Sequence, residues 1–118
     1  MFKILNITKD NLIAIKIDGK IVKSDYEKIT PLIEKTVEDY GKMRLYLLID
    51  NIEGIEPAAF TEDVKTYIKY FNSFEKIAVV GENAWQRMWS ELASPFVSGT
   101  VKYFKFPEME RARHWIGG

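Results

Sequence analysis

At 118 residues, 47% of them hydrophobic and 14% aromatic, the chain is the size of one domain and too apolar to be disordered. Seventeen Lys and Arg balance seventeen Asp and Glu, so the basic excess that neutralises nucleic-acid phosphates is missing. The absence of cysteine excludes disulfides, thiolate metal sites and cysteine nucleophiles, and it suits a reducing cytoplasm.

The N-terminal residues lack the apolar core of a signal peptide. No apolar run approaches the roughly 20 residues that cross a bilayer, so the expected location is the cytoplasm. In chain order, Phe2–Ile7 and the alternating Leu12–Ile17 read as two strands of a hairpin joined by Thr8-Lys9-Asp10-Asn11. Asp18-Gly19 is expected to close the second strand. Ser24 and Glu27 stand at capping-box spacing, and Tyr26, Ile29, Ile33, Val37 and Tyr40 form the apolar face of a helix. Pro31 inside it predicts a kink or a late start, and Gly41 a C-terminal cap.

Leu45–Ile49 is apolar at every position, as in a strand covered on both faces, with Asp50 expected to end it. A second helix is expected to carry Phe60, Val64, Tyr67, Ile68 and Phe71. Ile77–Val80 reads as another buried strand ended by Gly81. Trp85, Met88, Trp89 and Leu92 fall at helical spacing, and Ser94-Pro95 breaks that third helix. Val101–Phe106 is the last strand, followed by a helix that Pro107 opens and that Met109, Ala112 and Ile116 anchor. The order ββαβαβαβα, with about four helices, predicts one α/β domain over residues 1–118. Its sheet is mixed but largely parallel, with an N-terminal hairpin and right-handed crossovers.

With these elements in place, the chain resembles the SpoIIAA-like (STAS-type) proteins, specifically the small bacterial ones grouped with STAS and CRAL-TRIO domains. The residues that carry the resemblance are Leu48-Ile49-Asp50, Glu53-Gly54 and Phe60, then Phe74 through Gly81 with Trp85. Val101-Lys102-Tyr103-Phe104 and Ala112 through Ile116 complete it, so it spans essentially the whole chain. It implies a partner-binding or regulatory module rather than an enzyme, and CRAL-TRIO relatives hold lipids. Anti-sigma factor antagonists carry an Asp-Ser pair at the start of the helix after the central strand. Here that stretch reads Glu56-Pro57-Ala58-Ala59-Phe60-Thr61, so Thr61 is the nearby hydroxyl, read as the cap of the second helix.

Three groups of residues could carry chemistry. Asp50, Glu53, Glu56, Glu62 and Asp63 gather at the carboxyl end of the central strand, where open α/β sheets bind ligands. No spacing among them matches a metal loop, so neither a metal nor a cofactor is expected. His114, the single histidine, reads as a surface residue, and no nucleophile elbow accompanies it. Trp85, Met88, Trp89 and Phe96, facing Phe60, Val64, Tyr67 and Phe71, stand at a helical spacing that is usually core, yet they exceed what a thin core needs. Beside the core reading, they are the candidate partner-binding or apolar surface between the second and third helices.

The resulting expectation is a non-catalytic module that docks a protein partner or a second copy of itself. The alternative is a carrier of a small apolar or lipid-like ligand between those helices. Neither a nucleic-acid partner nor a membrane-spanning segment is expected.

Overall fold

Alternation along residues 12–17 sends Ile13, Ile15 and Ile17 to one side of a strand and Leu12 and Ala14 to the other, and all five are buried. A strand apolar on both sides needs cover on both, and the fold supplies it with helices on each face. In the computed structural model, residues 1–59, 61, 65, 69, 71–81 and 99–117 are described; at residues 51, 52, 55 and 71 this holds for the backbone only. The elements are β1 (Phe2–Ile4), β2 (Leu12–Ile21), α1 (Lys23–Tyr40), β3 (Met43–Ile55), β4 (Phe74–Val80), β5 (Thr100–Phe104) and α2 (Met109–Gly117). Pro57, Ala58, Ala59, Thr61, Lys65 and Lys69 are also helical, and 3-10 turns span Phe71–Ser73 and Phe106–Glu108. The expected third helix, with Trp85, Met88, Trp89 and Leu92, lies outside the described residues.

The strands form one sheet in the order β1-β2-β3-β4-β5. β1 is antiparallel to β2, and every later neighbour is parallel. The N-terminal hairpin and the largely parallel sheet are therefore as the sequence predicts. On one face, Ile13, Ile15, Ile17, Ile49, Ile77 and Val79 pack against Tyr26, Ile29 and Ile33 of α1 and against Ala59. On the other, Leu12, Ala14, Tyr46, Ala78, Val80 and Phe104 pack against Ala112 and Ile116 of α2. Each fully buried aliphatic side chain contributes about 1.5–3 kcal/mol. Lys69 pairs with Glu34 at 3.4 Å, so the helical residues after β3 lie beside α1.

α1 corrects two expectations. Its cap is Val22, not Ser24, because the carboxylate of Asp25 accepts the Val22 N–H at 2.8 Å and the Phe2 N–H at 3.1 Å. It also starts at Lys23 and continues through Pro31 to Tyr40. Pro31 and Glu27 both lie on the exposed side of the helix, where the N–H that proline lacks costs least. Gly41 ends the helix as expected, at φ 78°, its N–H donating to the Val37 carbonyl at 2.8 Å.

The C-terminal helix is fastened to the sheet at its negative end. Lys76 Nζ donates to the Trp115 carbonyl at 3.2 Å, and the Arg44 guanidinium donates to the Ile116 carbonyl. Asn11 Oδ1 accepts from Arg44 Nε at 2.9 Å and steadies it. Two cations on two strands thus satisfy carbonyls that a helix terminus leaves open.

Beneath this helix the Tyr46 hydroxyl is buried, with no hydrogen-bond partner among the described residues. Burial pushes its ionisation above the usual range; the Arg113 guanidinium pulls the other way but reaches no hydrogen-bonding geometry. Because the folded hydroxyl holds its proton to higher pH than the unfolded one, this stability is intact below about pH 10. It is lost as pH rises beyond that point. Tyr46→Phe should leave stability at pH 7 unchanged or raise it by about 1 kcal/mol, and it should flatten the alkaline decline. Denaturant unfolding at pH 7 and pH 11 checks both; a loss above about 2 kcal/mol at pH 7 would reveal a partner for the hydroxyl.

Candidate functional site

The central strand does not stop at Asp50, nor β2 at Asp18-Gly19. Ile17 pairs with Ile49, Asp18 with Asn51, Gly19 with Ile52 and Lys20 with Gly54. Two residues of β3 are skipped in this ladder, Asp50 and Glu53, so each is the extra residue of a bulge. Bulges bend a strand, raise its twist and re-aim side chains; they are uncommon in parallel pairs and frequent beside functional sites. By bulging, β2 and β3 continue past the end of β4, whose last partner pair is Leu48 with Val80.

Asp50 and Glu53 are both exposed. The Asp50 carboxylate lies 3.6 Å from Lys16 Nζ on β2, a surface pair of small energetic weight. Opposite the second bulge, Gly19 adopts φ 66°, a left-handed conformation that glycine takes at least cost, with Glu53 Oε2 at 4.0 Å from where a Cβ would sit. Asp18 and Lys20 beside it are exposed. The strand then hands over to helical residues at Pro57, where the fixed φ of proline suits a first turn.

Thr61 does not cap this helix. Residues 57–59 ahead of it are already helical, and its exposed hydroxyl donates to the Pro57 carbonyl at 3.2 Å. Asp50, Glu53 and Thr61 are thus arrayed along one end of the fold. Among the described residues no three His, Cys, Asp or Glu side chains lie close enough to hold a metal ion; Glu62 and Asp63 lie outside the described residues.

The apolar surface expected from Phe60, Val64, Tyr67, Phe71, Trp85, Met88, Trp89 and Phe96 falls on side chains outside the described residues. His114 is exposed, as expected. The sequence reading missed Lys16, Gly19 and the two bulges. Their signal was present: Asp18-Gly19 and Glu53-Gly54 each interrupt an apolar strand with a polar-glycine pair, a pattern that marks a bulge as readily as an end.

A family model described as SpoIIAA-like matches residues 12–117. Among solved structures, an uncharacterised protein with a SpoIIAA-like fold from Shewanella loihica PV-4 is 27% identical, with a TM-score of 0.76 over 98% of this chain and 92% of that one. The anti-sigma factor antagonist SpoIIAA in its unphosphorylated form is 8% identical, with a TM-score of 0.56 over 96% of this chain and 98% of that one, a likeness of fold. No curated protein matches the chain. No helix among the described residues is long and apolar enough to cross a membrane.

Proposed function

Since the chain belongs to the SpoIIAA-like family, we propose that it is a non-catalytic regulatory module that recognises a protein partner with the doubly bulged end of β3. The observation that carries this reading is the pair of bulges at Asp50 and Glu53. A ladder that gives up pairing twice within four residues presents two carboxylates to solvent rather than to the sheet. The helix start at Pro57 and the exposed Thr61 adjoin them. SpoIIAA, which shares the fold, is by name an antagonist of an anti-sigma factor, and regulation by docking is the role supported here.

Among the described residues, acidic side chains are in excess on this end: Asp18, Asp50, Glu53 and Glu56 against Lys16, Lys20 and the Met1 ammonium, which donates to the Asp18 and Lys20 carbonyls. A partner with a basic contact surface fits them, because complementary charge raises association rate and fixes register. Photo-crosslinkers placed at Glu53 and Thr61, with Lys28 on the exposed side of α1 as control, should trap one protein from the native host at the first two positions alone. With that protein purified, Glu53→Lys should weaken binding by about tenfold or more, at unchanged thermal stability. Equal trapping at Lys28, or full affinity in Glu53→Lys, would overturn the proposal.

A further inference from the structure

A helix shorter than about 12–15 residues does not hold by itself in water, and α2, Met109–Gly117, has nine. It persists through what it touches. Its outer side is exposed at Glu110, Arg111, Arg113 and His114. Towards the sheet it fully buries Ala112 and Ile116, the first of them a single methyl group. Beneath them Tyr46 lies between Ala14 of β2 and Ala78 of β4, its partners in the ladder. The buried Tyr46 hydroxyl has no hydrogen-bond partner among the described residues. A closed α2 therefore withholds from water a polar group that an open one would hydrate.

Among the described residues, the polar holds on α2 sit at its carboxyl end. Lys76 and Lys102 place their ammonium groups 5.2 and 5.3 Å from the centre of the Trp115 ring, within cation–π range. Lys76 and Arg44 also donate to the Trp115 and Ile116 carbonyls. Lys102 is exposed and Lys76, Arg44 and Trp115 are half-buried, so salt weakens these charged contacts. At the other end the bonds are internal to the segment. Glu108 Oε1 accepts the Lys105 N–H and Oε2 accepts from Arg111, each at 3.0 Å. The sheet secures the residue before them, for the Gly81 N–H donates to the Phe104 carbonyl at 3.0 Å. Residues 105–117 are thus a self-braced unit jointed after Phe104.

We propose that residues 105–117 are a strap that opens as one piece while the rest of the sheet stays folded. Opening gives up the burial of Ala112, Ile116 and the half-buried Phe106, and it hydrates the Tyr46 hydroxyl. Elements that move for function are drawn from the least stable parts of a fold. The strap lies over the strand that carries the Asp50 bulge, yet it holds whether or not that end docks a partner.

Val79 and Val80 of β4 are both fully buried and face opposite sides of the sheet. The chain has no cysteine, so Val79→Cys and Val80→Cys, made separately, each supply one thiol to a slow labelling reagent. The Val80→Cys thiol should react at least about tenfold faster than global unfolding allows, with a shallower dependence on urea. Tyr46→Phe should slow that reaction about fivefold, and about 0.5 M salt should quicken it. Asp25→Ala, which loosens β1 and α1, should quicken labelling of Val79→Cys and leave Val80→Cys unchanged. In the chain without added cysteine, the amides of Ala112–Ile116 should exchange together, at least about tenfold faster than those of Tyr46 and Ala78. Labelling of Val80→Cys at the global rate with the full urea slope, or α2 amides exchanging no faster than Tyr46 and Ala78, would overturn the proposal.

Discussion

Gly99→Ala is expected to destabilise the fold by about 3 kcal/mol or more, a loss reserved for steric or buried-polar defects. Gly99 enters β5 beside the start of β4, so close that a Cβ would overlap the Glu75 carbonyl and lie 2.6 Å from the Phe74 carbonyl oxygen. Those atoms are backbone, not the far end of a flexible side chain, so one strand must move away from the other. The pairs Lys76–Thr100 and Ile77–Val101, the first of the β4–β5 ladder, would be lost with it. The conflict is one of space. For a domain of this size such a loss lowers the melting temperature by roughly 10 °C. Urea titration with an unchanged slope measures it; a cost below about 1 kcal/mol would show that the strands separate without penalty.

Asp25→Ala is the second large effect, about 3 kcal/mol. One carboxylate, itself 5% exposed, accepts the N–H of Val22 at the start of α1 and the N–H of Phe2 in β1. Removing it deletes a helix cap, worth about 1 kcal/mol, and leaves a buried donor unsatisfied at about 1–3 kcal/mol. The residue also joins elements remote in sequence, for Phe2 packs edge-on against Tyr26 at 5.0 Å. Hydrogen exchange should therefore report early opening of both β1 and the first turn of α1 in the variant. Asp25→Asn retains an acceptor and should recover part of the loss. If only the α1 signals respond, the carboxylate serves as a cap and does not bind the hairpin.

The architecture was legible because it rests on periodicity. Ile13, Ile15 and Ile17 against Leu12 and Ala14 require cover on two faces, and α1 shows its apolar face at Tyr26, Ile29 and Ile33. Strand ends were misplaced for a physical reason. Asp18-Gly19 and Asp50 carry the composition of a turn, but a bulge places the same polar and glycine residues inside a continuing strand, and only pairing distinguishes the two. The cap of α1 was misassigned because spacing identifies a Ser-Glu pair without showing which carboxylate can reach an N–H from another element. Asp25 does so only once β1 lies beside it. Lys102, Lys76 and Trp115 went unnoticed as a group since they come from β5, β4 and α2, which meet only when the helix packs on the sheet.

Strands β2 to β5 follow one another across the sheet in the order of synthesis, and among the described residues the helix that covers one face is the short Met109–Gly117. During translation the apolar surface around Ala14, Tyr46, Ala78 and Val80 therefore lacks the cover of Ala112 and Ile116 until α2 has followed β5 out. A nascent chain halted after β5 would hold its hairpin and α1 yet show bare hydrocarbon, the feature by which chaperones find their clients.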